Sequence, residues 1–190
     1  MGYGIQISKE GYDVGTGKKS KQQSSRDERF LPYMISGIAI PYLKGASVSL
    51  QRYLEAASQL KKDVNKVYDC LHEASSLLEH LDTVDRYIIM CDEQHALHKI
   101  ILNMRNHIRH DLRDNLNHET NNGRVKREKE LGIREGLLVD ITFPETAIVI
   151  GKTELTAAEI VSFLQYAEQL FTRHLKEAQE KGLVKGIELT

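Results

Sequence analysis

The stretch "MRNHIRHDLRDNLNH", residues 104–118, holds the side chains of this chain best suited to chemistry. Imidazoles stand at His107, His110 and His118, and guanidiniums at Arg105, Arg109 and Arg113. Imidazole is the side chain whose charge changes near neutral pH, and guanidinium is a permanent, planar cation. Such a pair supplies what metal-free cleavage of a ribose phosphodiester needs. One group moves the 2′-hydroxyl proton, and the other holds the phosphate as charge develops on it. Arg105 and His110 lie five residues apart, about 140° around a helix, so they flank a groove or meet across a dimer axis. Asn106 adds a neutral donor and acceptor between them.

Two other readings use the same residues. His95 with His98, and His107 with His110, have the i, i+3 spacing that chelates an ion on a helix. No cysteine or carboxylate pair is spaced to complete a tetrahedral shell, so no metal and no cofactor are expected. The blander reading is a solvated helix side on which Asp111 and Asp114 pair with neighbouring arginines. Elsewhere the chemistry thins out. Glu128 and Glu130 interrupt Lys126, Arg127 and Lys129, so a solvated loop is the first reading there. Residues 15–19 lack P-loop spacing. His174 falls on an apolar seam, as a hydrogen-bonded core residue would. No Ser-His-Asp or Cys-His arrangement can be built from spacing.

The elements that must carry these residues follow from periodicity. Leu50, Ala57, Val64, Leu71 and Leu78 recur every seven residues, and Tyr53, Leu60, Val67, Ala74 and Leu81 follow in a register offset by three. This double seam predicts one helix of roughly 35 residues beginning near Ser47. "DTVD" then breaks the pattern, with Asp82 or Thr83 as the cap of a second helix. That helix has the stripe Met90, Leu97, Ile101, Met104, Ile108, Leu112 and Leu116, and it carries the opening motif. A charged loop follows, and "LLVDITFPETAIVIG" reads as a hairpin around Pro144. Thr156 and Glu159 form a capping box for a last helix whose seam is Ile160, Phe163, Leu164, Ala167, Leu170, Phe171 and Ala178. The expected fold class is therefore mainly α: an up-and-down bundle of long antiparallel helices with a small β-hairpin before the last helix. Residues 1–45 read as a partly flexible arm with short apolar patches, 46–180 as the helical domain, and 181–190 as a fraying tail.

The order Arg105-Asn106-x-x-x-His110 near the end of a helix resembles the R-x4-6-H motif of HEPN domains (higher eukaryotes and prokaryotes nucleotide-binding). The succession of long helix, motif helix, charged loop, "AIVIGKTELTAAEIVSFL" and closing helix resembles that bundle over roughly residues 46–180. The resemblance implies a metal-independent endoribonuclease of the toxin or defence type, or a catalytically silent RNA-binding relative. It implies Arg105 as the phosphate-binding cation, His110 as general base or acid, and Asn106 as the residue that orients them. A second match, Arg113-Asp114-x-x-x-His118, stands eight residues later as the alternative catalytic set. Partners implied are RNA, a second copy of the chain and a protein such as an antitoxin. The competing class is a noncatalytic helical scaffold acting through the arm and the heptad seam.

Charge sorts along the chain although its formal net value is −1. Residues 53–98 carry nine acidic and four basic groups, whereas residues 99–134 carry nine basic and five acidic ones. Arg109, Arg124, Lys126 and Arg127 are the RNA-binding candidates in that positive region. Cys70 and Cys91 sit in helical patterns without CxxC spacing and read as reduced thiols. The 190 residues contain no apolar run long enough for a bilayer and no signal-peptide core at the start, so a cytoplasmic protein with no membrane role is expected. The seam's length leads to the expectation of a homodimer.

Overall fold

The computed structural model describes residues 30–109, 130–131 and 141–184. Helix α1 spans Ile40–Gln59 and is entered through a wide π-helical turn, Ile35–Ala39, with residues 30–34 helical before it. The wide turn sits where Pro41 cannot donate to the carbonyl of Gly37, and Ile40 N–H reaches back to Ile35 instead. The helical start at residue 30 puts the expected arm boundary, residue 45, inside a helix. Ile35, Ala39 and Leu43 of that stretch are core residues.

The single long helix expected from Ser47 is two helices. α1 ends at Gln59, and α2 runs Lys66–Met90 back along it. The break comes at Lys61-Lys62-Asp63-Val64-Asn65, where the Asp63 carboxylate captures the Asn65 backbone N–H at 2.9 Å and offers the chain a turn in place of a helical bond. Val64, assigned to the seam, is 75% exposed. Val67 is also exposed and Leu60 and Leu71 are partly buried, whereas Leu50, Tyr53, Ala57, Ala74, Leu78 and Leu81 are buried, facing each other within one chain. Seam length therefore gives no argument for a dimer.

The second break lies later than expected. Asp82 and Thr83 cap nothing, because both are interior to α2, where Thr83 Oγ1 donates to the Glu79 carbonyl one turn back. α2 stops at Cys91, with Asp92 in the left-handed region at φ 58 and the backbone bonds Glu93 N–H to Ile88 O and Asp92 N–H to Ile89 O closing a Schellman end. Helix α3, His98–Asn106, follows after a seven-residue turn and continues as a wide turn over 107–109. Leu97, Ile101, Met104 and Ile108 of the expected stripe are buried, whereas Met90, its first member, ends α2 and is exposed. Leu112 and Leu116 lie outside the described residues.

The expected hairpin is present as β1 (Ile141–Thr142) and β2 (Ala147–Ile150), paired antiparallel through Ile141 with Ile150. A third strand, β3 (Thr153–Thr156), extends it to an antiparallel sheet ordered β1-β2-β3. Gly151, at φ 61, supplies the positive angle that the two-residue β2–β3 turn requires. Helix α4 spans Ala157–Glu180 and starts at the expected capping box, with Thr156 Oγ1 accepting from Glu159 N–H. All seven expected seam residues of α4 are buried. The sheet is tied to α1 by Tyr53, whose buried hydroxyl donates to the Ala147 carbonyl. Burial raises that phenol above its ordinary range, so it stays a donor. Leu131, also buried, accepts Lys152 N–H at 2.8 Å and so holds its segment on the β2–β3 turn. No described helix is long and apolar enough to cross a membrane. Cys70 and Cys91 are free and buried, and burial pushes the Cys91 thiol up to about 12.

Candidate functional site

The polar residues of α3 meet those of α2 along one antiparallel seam. On α2, Glu79, Asp82 and Asp85 recur at intervals of three and lie on one side of the helix. On α3, His98 and Arg105 are seven apart, again on one side, and Arg109 follows one turn later. Arg105 Nε donates to Glu79 Oε2 at 3.1 Å and lies 3.8 Å from Asp82 Oδ2. Asp82 is completed by Arg86, whose NH2 sits 2.6 Å from the same oxygen. Arg109 NH1 stands 3.8 Å from Glu79 Oε1. At the other end, His98 Nδ1 donates to Asp85 Oδ2 at 2.5 Å. Three carboxylates thus face three guanidiniums and one imidazole.

Burial decides what these pairs contribute. The Arg105 side chain is 11% exposed and Asp82 is buried, and each keeps a second partner, Glu79 for Arg105 and Arg86 for Asp82, so the charges compensate one another as a network with little help from water. The Lys61–Glu145 pair at 2.9 Å is solvent-exposed on both sides, and such pairs contribute at most about 1 kcal/mol. The seam therefore holds α3 in place on α2. Its outer cations, Arg86 and Arg109, are the exposed ones.

The Arg105 guanidinium is further fixed by the residue after it. Its NH1 donates to Asn106 Oδ1 at 2.7 Å, so the Arg-Asn pair singled out by type is also a physical contact. His107 is buried within the wide turn. His110, Arg113, Asp114, His118, Arg124, Lys126 and Arg127 lie outside the described residues. Comparisons with protein-family models, with curated proteins and with solved structures find no match.

The histidines weighed as metal ligands have separate tasks. His95 Nδ1 accepts Leu97 N–H at 3.2 Å, and its ring packs edge-on to Phe163 and tilted against Tyr166 of α4. His98 belongs to Asp85. Among the described residues, no group of three or more His, Cys, Asp or Glu side chains gathers to hold an ion. His174 is half-buried on α4.

Glu79, Asp82, Asp85 and Arg86 were not among the candidates drawn from sequence. One signal was available for Asp85. Continuing the heptad from Leu78 by seven puts an aspartate at a core position, with Ile88 next in the offset register. A carboxylate at such a position must have a partner, and His98 is that partner.

Proposed function

We propose that this chain is a HEPN-like protein that acts on RNA as a metal-independent endoribonuclease. The observation that carries the reading is the Arg105-Asn106 pair. Its guanidinium is held by Glu79 and by the Asn106 side chain at the end of α3, with the exposed Arg109 one turn beyond. A cation oriented in advance needs no reorganisation when negative charge grows on a phosphate. In this reading His110 takes the ribose 2′-hydroxyl proton, the freed oxygen attacks the adjacent phosphate, and a cyclic phosphate results. Arg105 stabilises the added charge. Arg109, Arg124, Lys126 and Arg127 bind the RNA backbone. The protein works in the cytoplasm as a homodimer, and a protein partner such as an antitoxin restrains it.

A specific observation favours a second reading. Glu79 and Asp82 already balance the Arg105 charge, as expected of a catalytically silent relative or a helical scaffold acting through its N-terminal residues. The two readings separate in one experiment. Purified protein is incubated with mixed RNA in EDTA beside Arg105→Lys, His110→Ala and His118→Ala, each checked for its thermal midpoint. Cleavage that persists under chelation, yields cyclic phosphate ends and is lost in His110→Ala but kept in His118→Ala supports the enzyme. Loss only in His118→Ala moves catalysis to Arg113, Asp114 and His118. Intact RNA with wild-type protein supports the silent reading.

A further inference from the structure

We infer that His98 is a second proton-transfer residue of this site, positioned by Asp85, that protonates the leaving 5′-oxygen when an RNA phosphodiester is cleaved. The inference rests on the RNA-cleaving reading and adds a residue to it.

It begins with an unusual carboxylate. Asp85 lies at a core position of α2, 2% exposed, among Leu81, Val84 and Ile88. Its Oδ2 accepts from His98 Nδ1, and among the described residues its buried Oδ1 has no hydrogen-bond partner. A half-satisfied buried carboxylate is costly, and an amide or an apolar residue would pack the position at less expense. What only the carboxylate provides is a fixed tautomer and a negative charge facing the ring. The Nδ1–H bond fixes the tautomer in which Nε2 is the nitrogen open to proton exchange with a substrate.

The ring is also placed where a substrate can meet it. Its side chain is 24% exposed, and among the described residues Nε2 has no hydrogen-bond partner. His98 and Arg105 stand two turns apart on one side of α3, roughly 10 Å along the axis. In the RNA-cleaving reading both act on one phosphodiester laid along this side of α3. Between them, the exposed Arg86 guanidinium is tied to Asp82 on the facing helix and adds a cation at the rim.

The step balances as follows. The O2′–P bond forms as the 2′ proton passes to the base proposed above. The P–O5′ bond breaks as O5′ takes the proton from Nε2 of the His98 imidazolium. The products are a 2′,3′-cyclic phosphate end and a 5′-hydroxyl end, and proton exchange with water restores both groups.

The test is a comparison of leaving groups. Wild type, His98→Ala, His98→Gln and Asp85→Asn are assayed on an RNA oligonucleotide and on uridine 3′-(p-nitrophenyl phosphate), whose leaving group departs without a proton. Gln at 98 keeps a donor for Asp85 but cannot deliver a proton, so it serves if the alanine variant fails to fold. Loss of the acid is expected to slow RNA cleavage about 100-fold or more and to slow the nitrophenyl ester by less than about tenfold. Asp85→Asn is expected to lower kcat on RNA while leaving KM in place. RNA cleavage at the wild-type rate in both His98 variants, or equal losses on both substrates, overturns the proposal while the nuclease reading stands. Wild-type protein that cleaves neither substrate removes the nuclease reading, and this inference with it.

Discussion

His80 on α2 faces away from the charged seam and into α1. Its Nδ1 lies 3.3 Å from Ser49 Oγ, and its ring meets Tyr42 edge-on at 5.4 Å. The space for the ring exists because residue 45 is glycine, since a Cβ there would stand 3.0 Å from His80 Nε2. Burial pushes the imidazole below its ordinary 6.5, against the opposing pull of Glu79 and Glu73. The sign of the linkage follows. The unfolded chain binds the proton more readily than the folded one, so this contribution is complete above pH 6.5 and is lost as pH falls through the lower folded value. Urea unfolding from about pH 7.5 to about pH 5.5 is expected to show stability declining on acidification, and His80→Gln is expected to flatten part of that decline. An unchanged slope in the variant would remove His80 from the account.

At the scale of elements, the strongest start signal in the sequence is also the most quantifiable. Thr156 has extended backbone angles, accepts Glu159 N–H at 3.2 Å, and receives the Glu159 carboxylate on its own N–H at 2.9 Å. The Thr156 N–H, and after it the Thr156 hydroxyl donating at 2.7 Å, hold the Glu159 carboxyl below its ordinary value, so their contribution is present above pH 4.5 and lost as pH falls through the folded value. Thr156→Ala is expected to cost about 1 kcal/mol in denaturant unfolding, and the deficit should shrink on acidification as Glu159 protonates in both proteins. This cap was legible because it is local: four residues contain both partners. The α1–α2 turn was not legible. Ala57 and Leu71 are two heptads apart, so the six-residue connection preserves the phase of the pattern, and the period alone reads straight through it. For the same reason Glu79, Asp82 and Asp85 escaped notice as partners of the motif. Their meeting with Arg105 and His98 depends on how α3 docks on α2, and no sequence period encodes a contact between residues 26 apart. The Arg-Asn pair itself was legible from residue type because its two members are adjacent.

Across the whole molecule, the proposed function sets the net charge of −1 against RNA binding and the largely covered Arg105 cation against cleavage. Long-range attraction is weak at this net charge, so affinity must come from the positive stretch at 99–134. Within it, Arg105 is already matched by Glu79 and Asp82, and a cation without displaced counterions adds little to the salt dependence of binding. In the proposed function Arg109, Arg124, Lys126 and Arg127 carry that dependence instead. If each meets one phosphate of a single strand, log affinity falls with log salt at a slope of about −3. Fluorescence anisotropy with a labelled single-stranded RNA, titrated at several potassium chloride concentrations, measures it. Reversing Arg124, Lys126 and Arg127 to glutamate together is expected to weaken binding and to flatten the slope by about 2. Arg105→Lys is expected to leave affinity and slope near wild type while cleavage falls, because a fixed guanidinium acts on the charge that appears only in the transition state. The opposite pattern, with the triple reversal silent and Arg105→Lys unable to bind, would put the RNA on the α2–α3 seam itself.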